Sequence, residues 1–190
     1  HHLVDEIILR LDQLKFVKAL EVTNEIPEET VLFADRTLLG EVIQNLVSNA
    51  IKFSKRGETI RIYIPEGEST TIAVQDQGVG IPEDVIPKLF NVAEKITTPG
   101  TDGEEGTGFG LPFSFDIMEA HGGKLAVTSI IDQGSTFTAF LPYVRPRILL
   151  VDDEILARTI LAQALRPLMA EIIQVEDGRK ALAQIKQNPP

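Results

Sequence analysis

The stretch "EVIQNLVSNAIKFS", residues 41–54, combines an apolar helix face with a stripe of polar side chains. Its apolar positions follow the helical period, and we expect the helix to begin after a capping Asp35 and to reach about Phe53. Its polar positions recur every three or four residues on another side of the helix, and they are Glu41, Asn45, Asn49 and Lys52. A polar stripe is usually a solvated face. Asparagine is a mediocre helix former, however, so two asparagines one turn apart favour a binding role.

The residue types in this stripe suit one kind of ligand. An asparagine side-chain oxygen can coordinate Mg²⁺, and a lysine on the same face can meet phosphates whose charge the metal shares. The stripe therefore predicts one wall of a nucleotide site.

A second wall is predicted at "DQGVG", residues 76–80, where a strand ends. The Asp76 carboxylate can accept a hydrogen bond from an exocyclic amine such as that of adenine, and Gly78 and Gly80 let the backbone approach a flat ring. Taken alone the motif is weak, because strand ends commonly turn on glycine.

The third wall is "GTGFGL", residues 106–111, which we expect to lead into a helix from Pro112 to His121. It lacks the Gly-Lys-Ser/Thr ending of a Walker loop and the preceding strand of a dinucleotide fingerprint. Glycine N–H groups beside a helix N-terminus still bind anionic oxygens. An ordinary flexible loop is the alternative. The polar run before it, residues 91–106, has no sustained period and predicts a mobile lid.

The remaining elements predict a domain that ends near Leu141. Residues 3–20 carry the apolar spacing of one amphipathic helix, and "VTNEI" and "VLFA" are typical of short strands. A short helix follows "DQGVG". Two hairpins are predicted, one from "TIRIYI" and "TTIAVQD" and the other from "KLAVTSI" and "STFTAFL".

Composition excludes several classes of protein. A net charge of -10 argues against a nonspecific grip on nucleic acid. The absence of cysteine excludes disulfides and cysteine metal sites, and it suits a cytoplasmic chain. No apolar run approaches the length of a membrane span, and the N-terminal residues do not form a signal peptide.

Taken in order, these motifs resemble the ATP-binding catalytic domain of sensor histidine kinases, within the superfamily shared with gyrase, the Hsp90 chaperones and mismatch-repair ATPases. Residues 41–54 resemble the N box, "DQGVGIP" the G1 box, "LF" at 89–90 a reduced F box, "GTGFGL" the G2 box and "GSTFTAFLP" the closing strand. The resemblance covers about residues 3–142. It implies an α+β fold, a two-layer sandwich of a mixed sheet covered by helices.

The resemblance also implies roles for the residues of the three walls. Asn45 would coordinate Mg²⁺, Asn49 and Lys52 would lie against the nucleotide and its phosphates, and Asp76 would bind the adenine amine. Glu41 occupies the position that activates water in hydrolysing relatives, and in a kinase it would have a supporting role. The other predicted ATP-binding residues are Gly78, Gly80, Gly106, Thr107, Gly108, Gly110, Leu111 and Thr136.

The C-terminal residues predict a different unit. After a linker at residues 143–146, residues 147–190 have the β-α-β-α order that begins a doubly wound domain. "RILLVDDE" resembles the first strand of a response-regulator receiver, an incomplete flavodoxin-like segment in which Asp152 and Asp153 would form an acidic Mg²⁺ pocket. An acidic pair after a strand is otherwise often a helix N-cap. A catalytic domain at residues 1–142 followed by a receiver is the arrangement of a hybrid histidine kinase.

Two features of that arrangement are not evident in the sequence. The family's phosphoacceptor histidine lies on an upstream dimerisation helix, and the receiver's phosphoacceptor aspartate lies on its third strand. His121, at a predicted helix end, suits a structural role. We therefore predict a kinase module that uses Mg²⁺-ATP, with dimerisation helices and a receiver domain or response regulator as partners. A nonenzymatic nucleotide-binding signalling module, and a self-contained ATPase using Glu41, are the alternatives.

Overall fold

In this computed structural model the described residues are 1–94, 96–144 and 146–187. Lys95 of the predicted lid, Arg145 of the predicted linker and residues 188–190 of the predicted receiver segment lie outside them. The chain divides into two compact units, His1–Pro142 and Tyr143–Pro190, and each is described by itself. Among the described helices, none has the length and apolarity needed to cross a bilayer.

The described residues of the first unit form four α-helices and five strands. The helices are α1 (His2–Arg10), α2 (Asp12–Val17), α3 (Arg36–Phe53) and α4 (Gly110–Ala120). The strands are β1 (Glu21–Asn24), β2 (Thr59–Tyr63), β3 (Thr71–Gln75), β4 (Lys124–Ile130) and β5 (Gly134–Phe140). Short 3₁₀ helices at Ile86–Lys88 and Val92–Glu94 lie between β3 and α4.

The five strands form one mixed sheet in the order β1-β2-β3-β5-β4. β1 and β2 are parallel, and the other neighbours are antiparallel, including both predicted hairpins. α1, α3 and α4 pack together, and α3 and α4 also contact the sheet. The mixed sheet with its covering helices confirms the predicted α+β class.

Helix α3 forms because its cap and its apolar period agree. The Asp35 side chain accepts from the backbone N–H groups of Thr37 and Leu38 at 2.8 and 2.9 Å, as predicted for an N-cap. The apolar face is buried against the sheet and the other helices, and it comprises Leu39, Val42, Ile43, Leu46, Val47, Ala50 and Ile51. This burial fixes the direction in which the polar stripe of α3 points.

Two sequence expectations differ from the structure. "VLFA" forms no strand; Leu32 and Ala34 pack against the core from a loop, because apolar composition predicts burial but not backbone pairing. The first helix is two helices, divided at Leu11, where φ is -92° and ψ is 8°.

The second unit has the predicted β-α-β-α order. It consists of β6 (Arg147–Val151), α5 (Ile155–Ala164), a 3₁₀ turn at Arg166–Leu168, β7 (Glu171–Val175) and α6 (Gly178–Gln187). β6 and β7 are parallel and form a two-stranded sheet.

Candidate nucleotide-binding site

The polar stripe of α3 meets the glycine-rich segment of residues 106–111. A methyl group built at Gly110 would lie 2.2 Å from Asn45 Oδ1, so only glycine fits where α4 begins. A methyl group at Gly106 would lie 2.7 Å from Lys52 Nζ. These two contacts bring the first and third predicted walls together over two turns of α3.

A serine on α4 orients the Asn45 amide. Asn45 Nδ2 donates to Ser114 Oγ at 2.9 Å, and Ser114 is almost fully buried. Because the amide nitrogen is held in this way, the carboxamide oxygen is the atom that lies beside Gly110. Ser114 was not singled out in the sequence, where a serine inside a helix carries no distinctive signal.

The other two residues of the stripe are less constrained. Glu41 is exposed and Asn49 is half-buried, and neither side chain makes a hydrogen bond with the described residues. They lie one turn to either side of Asn45 on α3. Oxygen and amide groups are therefore available to a ligand on both sides of Asn45.

Lys52, at the C-terminal end of the stripe, reaches toward the lid. Its Nζ donates to the Thr98 carbonyl at 2.8 Å and lies 4.8 Å from the centre of the Phe53 ring. The ammonium group thus lies between α3 and residues 98–106, where it can meet an anion.

Asp76 is the most strongly buried carboxylate of the candidate site, with 5% of its surface exposed. Its Oδ1 accepts from the backbone N–H groups of Gly78 at 2.9 Å and Ser135 at 3.2 Å, and no described residue donates to Oδ2. Burial raises the pKa of this carboxyl above its ordinary value, although both backbone hydrogen bonds oppose the shift. One oxygen is fixed by the protein, and the other is open to a donor.

The glycines that follow Asp76 allow a close approach of backbones. A methyl group at Gly78 would lie 2.2 Å from the Phe53 carbonyl oxygen at the end of α3. The Val79 N–H donates to that same carbonyl at 3.2 Å, while Gly80 has a φ of +69°. The turn after β3 is therefore packed directly against α3, which joins the first and second predicted walls.

The register of β3 and β5 distinguishes two neighbouring hydroxyl residues. Thr136 pairs with Gln75, whereas Ser135 lies opposite Asp76: the Asp76 N–H donates to the Ser135 carbonyl, and the Ser135 N–H donates to Asp76 Oδ1. Successive side chains of a strand point to opposite faces, so Ser135 shares the face of Asp76 and Thr136 does not. Ser135 is also buried, and its Oγ lies 2.9 Å from Ser129 Oγ. The two hydroxyl residues are adjacent in the sequence, and the register of β3 with β5 decides which of them shares the face of Asp76.

The rest of the glycine-rich segment turns into α4. Gly108 has a φ of +74°, and the Phe109 N–H donates to Thr107 Oγ1 at 3.4 Å. Leu111 is half-buried against the core. The ring of Phe90, the second residue of the "LF" pair, stacks on the ring of Phe115 in α4, and the two ring centres are 5.4 Å apart. The "LF" pair of the sequence thus supports the helix that begins at the site.

His121 is engaged within the protein through both ring nitrogens. Nδ1 lies 2.8 Å from the Ile117 carbonyl oxygen, and Nε2 accepts from the Asp35 N–H at 3.1 Å. The ring connects the end of α4 to the N-cap of α3.

The acidic residues of the second unit are arranged as a turn. Asp152 Oδ1 accepts from the Glu154 N–H at 2.8 Å, and Arg158 donates to the Asp152 carbonyl oxygen. Asp153 is exposed. Within the described ranges, no group of three or more His, Cys, Asp or Glu side chains is placed to hold a metal ion. The predicted pocket of Asp152 and Asp153 stays a prediction.

The family profile described as "Histidine kinase-, DNA gyrase B-, and HSP90-like ATPase" matches residues 34–145. These residues include α3, the turn after Asp76, the glycine-rich segment and β5. The chain belongs to this family of ATPase-like domains.

Relatives among known proteins are histidine kinases. The chain is 32% identical to the circadian input-output histidine kinase CikA of Synechococcus elongatus, over 93% of this chain and 25% of CikA. It is 34% identical to the adaptive-response sensory kinase SasA of Prochlorococcus marinus over 141 residues, which is 72% of this chain and 36% of SasA. The chain thus spans about a third or less of the length of these relatives.

Solved structures agree with the fold. The catalytic domain of histidine kinase ThkA superposes with a TM-score of 0.62 at 28% identity, covering 74% of this chain and 90% of that domain. Full-length ShkA in complex with AMPPNP gives a TM-score of 0.59 at 19% identity, covering 96% of this chain and 41% of ShkA, and supports the fold alone.

Proposed function

We propose that residues 1–142 bind Mg²⁺-ATP and donate its γ-phosphate to a histidine on a dimerisation helix. The observation that carries this proposal is the meeting of α3 with the glycine-rich segment, at Asn45 against Gly110 and at Lys52 against Gly106. Membership of the histidine kinase-like ATPase family supports the same ligand. We extend the proposal to a sensor kinase of a two-component system, since the relatives are histidine kinases.

In this proposal the adenine ring lies against the turn after β3. Asp76 Oδ2 accepts a hydrogen bond from the exocyclic amine, while its Oδ1 stays bound to the backbone of Gly78 and Ser135. The raised pKa of Asp76 reflects the burial that also keeps water from competing for this bond. We assign Ser135, and not the predicted Thr136, as the hydroxyl residue of this subsite, because Ser135 shares the face of Asp76.

The phosphates lie between α3 and the lid. Lys52 supplies a positive charge, and Gly106, Thr107, Gly108 and Gly110 bring backbone N–H groups close to the phosphate oxygens. Asn49 borders the ribose and phosphates. The lid closes over them, which excludes water and orients the γ-phosphate for transfer.

The donor set of α3 fits Mg²⁺. Mg²⁺ prefers oxygen ligands and commonly binds through one or two protein groups together with substrate phosphates. Because Ser114 holds the amide nitrogen of Asn45, the carboxamide oxygen is the protein ligand in this proposal. When bound, the ion neutralises charge on the phosphates, as is general in phosphoryl transfer. Glu41, one turn away, has a supporting role.

The partners follow from the chemistry and from one solved relative. The transfer needs dimerisation helices that carry an acceptor histidine. ThkA has been solved in complex with a response regulator protein, TrrA, at 26% identity to this chain. We propose a response regulator or a receiver domain as the next partner, with residues 147–190 as part of a receiver in a hybrid kinase. No nucleic-acid partner is proposed.

Calorimetry with Mg²⁺-ATP tests the binding step. We expect wild-type protein to bind, and Asn45→Ala to bind far more weakly because the ligand oxygen is lost. Gln13→Ala removes an exposed amide from α2 and should bind like wild type. Thermal unfolding of each variant confirms that it is folded. The proposal is contradicted if the wild-type protein gives no heat of binding with Mg²⁺-ATP and gains no thermal stability from it.

A second experiment separates the kinase from its rivals. Separately produced dimerisation helices are added with labelled ATP, and acid-labile phosphate on those helices supports the kinase. ATP binding without transfer favours a nonenzymatic signalling module. The exposed, unpartnered Glu41 is the feature that favours an ATPase; hydrolysis in the absence of the helices, abolished by Glu41→Ala, would establish it.

A further inference from the structure

Lys18 is a charged residue buried almost completely, with 2% of its surface exposed. It directly follows α2 and precedes β1, outside every motif of the candidate site. A buried ammonium is costly unless several acceptors surround it. Its partners therefore indicate why a lysine stands here.

The first set of partners is the C-terminal end of α3. Lys18 Nζ lies 3.0 Å from the Ile51 carbonyl oxygen, 2.7 Å from that of Lys52 and 3.4 Å from that of Ser54. The last carbonyls of a helix lack partners within the helix and carry partial negative charge. The ammonium group thus caps the helix that bears the polar stripe.

The second set lies in the segment that leads into the glycine-rich run. Lys18 Nζ is 2.6 Å from Glu104 Oε1 and 2.7 Å from Thr101 Oγ1. Burial alone would raise the pKa of Glu104, but the hydrogen bonds from Lys18 and from nearby backbone groups lower it overall. Glu104 is the anionic partner of the buried ammonium.

The segment Gly100–Glu104, which we call the lid anchor, is also tied to α3 directly. The Thr101 N–H donates to the Lys52 carbonyl at 3.1 Å, and Thr101 Oγ1 donates to the Ser54 carbonyl at 2.6 Å. Within the anchor, the Gly100 N–H donates to the Glu104 carbonyl at 2.8 Å. The Glu104 carboxylate accepts from the Asp102 N–H at 2.9 Å. One ammonium thus joins the anchor to the end of α3.

We propose that Lys18, through Glu104, is a positioning residue for the lid, fixing its base so that the glycine-rich run lies over the phosphates of the nucleotide. Gly106 follows the anchor by two residues and lies against Lys52. The part of this inference that concerns phosphates rests on the proposed function; the anchoring itself does not. Adenine, bound at Asp76, makes no use of the anchor.

Glu104→Gln is the decisive variant, because it keeps the shape of a partly exposed side chain and removes its charge. Lys18→Met is the complementary variant, and Lys15→Met is the control. Lys15 lies on α2 and pairs with Asp12. Replacing it by methionine removes one positive charge, as Lys18→Met does, and leaves the contacts of the lid anchor in place. Each protein is titrated with Mg²⁺-ATP and with adenosine, and hydrogen exchange is followed at the amides of Gly100 and Thr101.

We expect Glu104→Gln to weaken ATP binding about tenfold, the size of one lost charge-assisted hydrogen bond, and to change adenosine binding less than about twofold. Exchange at Gly100 and Thr101 should become faster, while the amides of α3 stay protected. Lys15→Met should behave like wild type in all measurements.

Three results overturn the inference. Unchanged exchange at Thr101 in Glu104→Gln means that the pair does not hold the anchor. Equal weakening of ATP and adenosine means that it acts only on stability. If wild type binds neither ligand, the proposed function and the phosphate part fall together, and the exchange measurement still decides the anchor. Lys18→Met is interpreted only if its thermal transition shows a folded protein.

Discussion

The unit His1–Pro142 buries whole faces of its helices and sheet, whereas the unit Tyr143–Pro190 buries little. In the first, Val42, Leu46 and Ile60 have 0% exposure. In the second, Val175 and Ala181 are the only described apolar residues below a tenth exposed, and Ile155 and Leu156 of α5 are open to solvent. Both units have clear helix and strand patterns. Regular secondary structure therefore arises from local pattern, while a core requires enough layers to cover each apolar face.

Truncating one leucine in each unit tests this difference in burial and should give the largest effect. Leu46→Ala should lower the free energy of unfolding by about 2–5 kcal/mol, because it leaves a cavity in a closed core. Leu156→Ala should change it by no more than about 0.5 kcal/mol, since that side chain is exposed. Urea unfolding followed by circular dichroism measures both. A comparable loss for Leu156→Ala would mean that α5 is covered in solution.

Two glycines, one crowded in the first unit and one open in the second, compare the packing of the two units at the backbone. Gly110→Ala places a methyl group against Asn45, and we expect a loss of about 1–3 kcal/mol and of Mg²⁺-ATP binding. Gly178→Ala in α6 meets no atom within 4 Å, so it should be neutral or stabilising by up to about 1 kcal/mol. Thermal unfolding and calorimetry give the two readouts. A Gly110→Ala protein with wild-type affinity would contradict the closeness of α3 and the glycine-rich segment.

Asp76 provides a smaller effect that depends on pH. Because its folded pKa is raised, the native state binds more protons than the unfolded state as pH rises from the ordinary aspartate value through the folded pKa. Wild type should lose stability over that window relative to Asp76→Asn, and the difference should level off above it. Urea unfolding between pH 3 and 8, in roughly half-unit steps, measures this. If wild type instead gains stability relative to Asp76→Asn as the pH rises through this window, the folded pKa of Asp76 is lowered and not raised.

The control for that series is Asp153→Asn, which removes an exposed carboxylate from the second unit. It accounts for the loss of one negative charge from the chain. The lowered pKa values of Glu25 and Glu104 affect wild type and Asp76→Asn alike, so they cancel in the difference. At neutral pH, Asp76→Asn should also weaken ATP binding, because an amide nitrogen facing the adenine amine is a second donor.

The smallest effects are expected from surface ion pairs, and one pair from each unit serves for the comparison. In the first unit, Arg61 donates two hydrogen bonds to the Glu25 carboxylate, at 2.8 and 2.6 Å. In the second unit, Lys180 pairs with Glu176, which lies one helical turn before it in the sequence. Double-mutant cycles should give small coupling energies that fall as salt rises, with the two-contact pair the larger. Equal coupling in both pairs would show that the second contact adds nothing.

Much of the first unit was predictable from its sequence, because its local signals agree. Asp35 followed by an apolar period predicted α3, and the alternating runs predicted both hairpins, all of which the structure confirms. The glycines and polar residues of the three motifs identified the family, which the family match confirms. The roles assigned to Asn45, Asp76 and the glycines remain predictions, although the structure brings these residues together.

Other features depend on pairing that no local pattern contains. "VLFA" has strand-like composition but no strand beside it, and Leu11 interrupts a period that predicted one helix. Ser135 and Thr136 are adjacent hydroxyl residues, and the register of β3 with β5 decides which one faces Asp76. Lys18 has the ordinary appearance of a lysine at a helix end.

The family, the fold class and the residue types of the candidate nucleotide site were predictable from the sequence, because they follow from helical and strand periods and from the order of three motifs. The packing of the elements was needed to show that Ser114 orients Asn45, that Ser135 lies beside Asp76 and that Lys18 joins Glu104 to the end of α3. Each of those contacts joins residues more than 30 positions apart, and such contacts depend on how the elements pack.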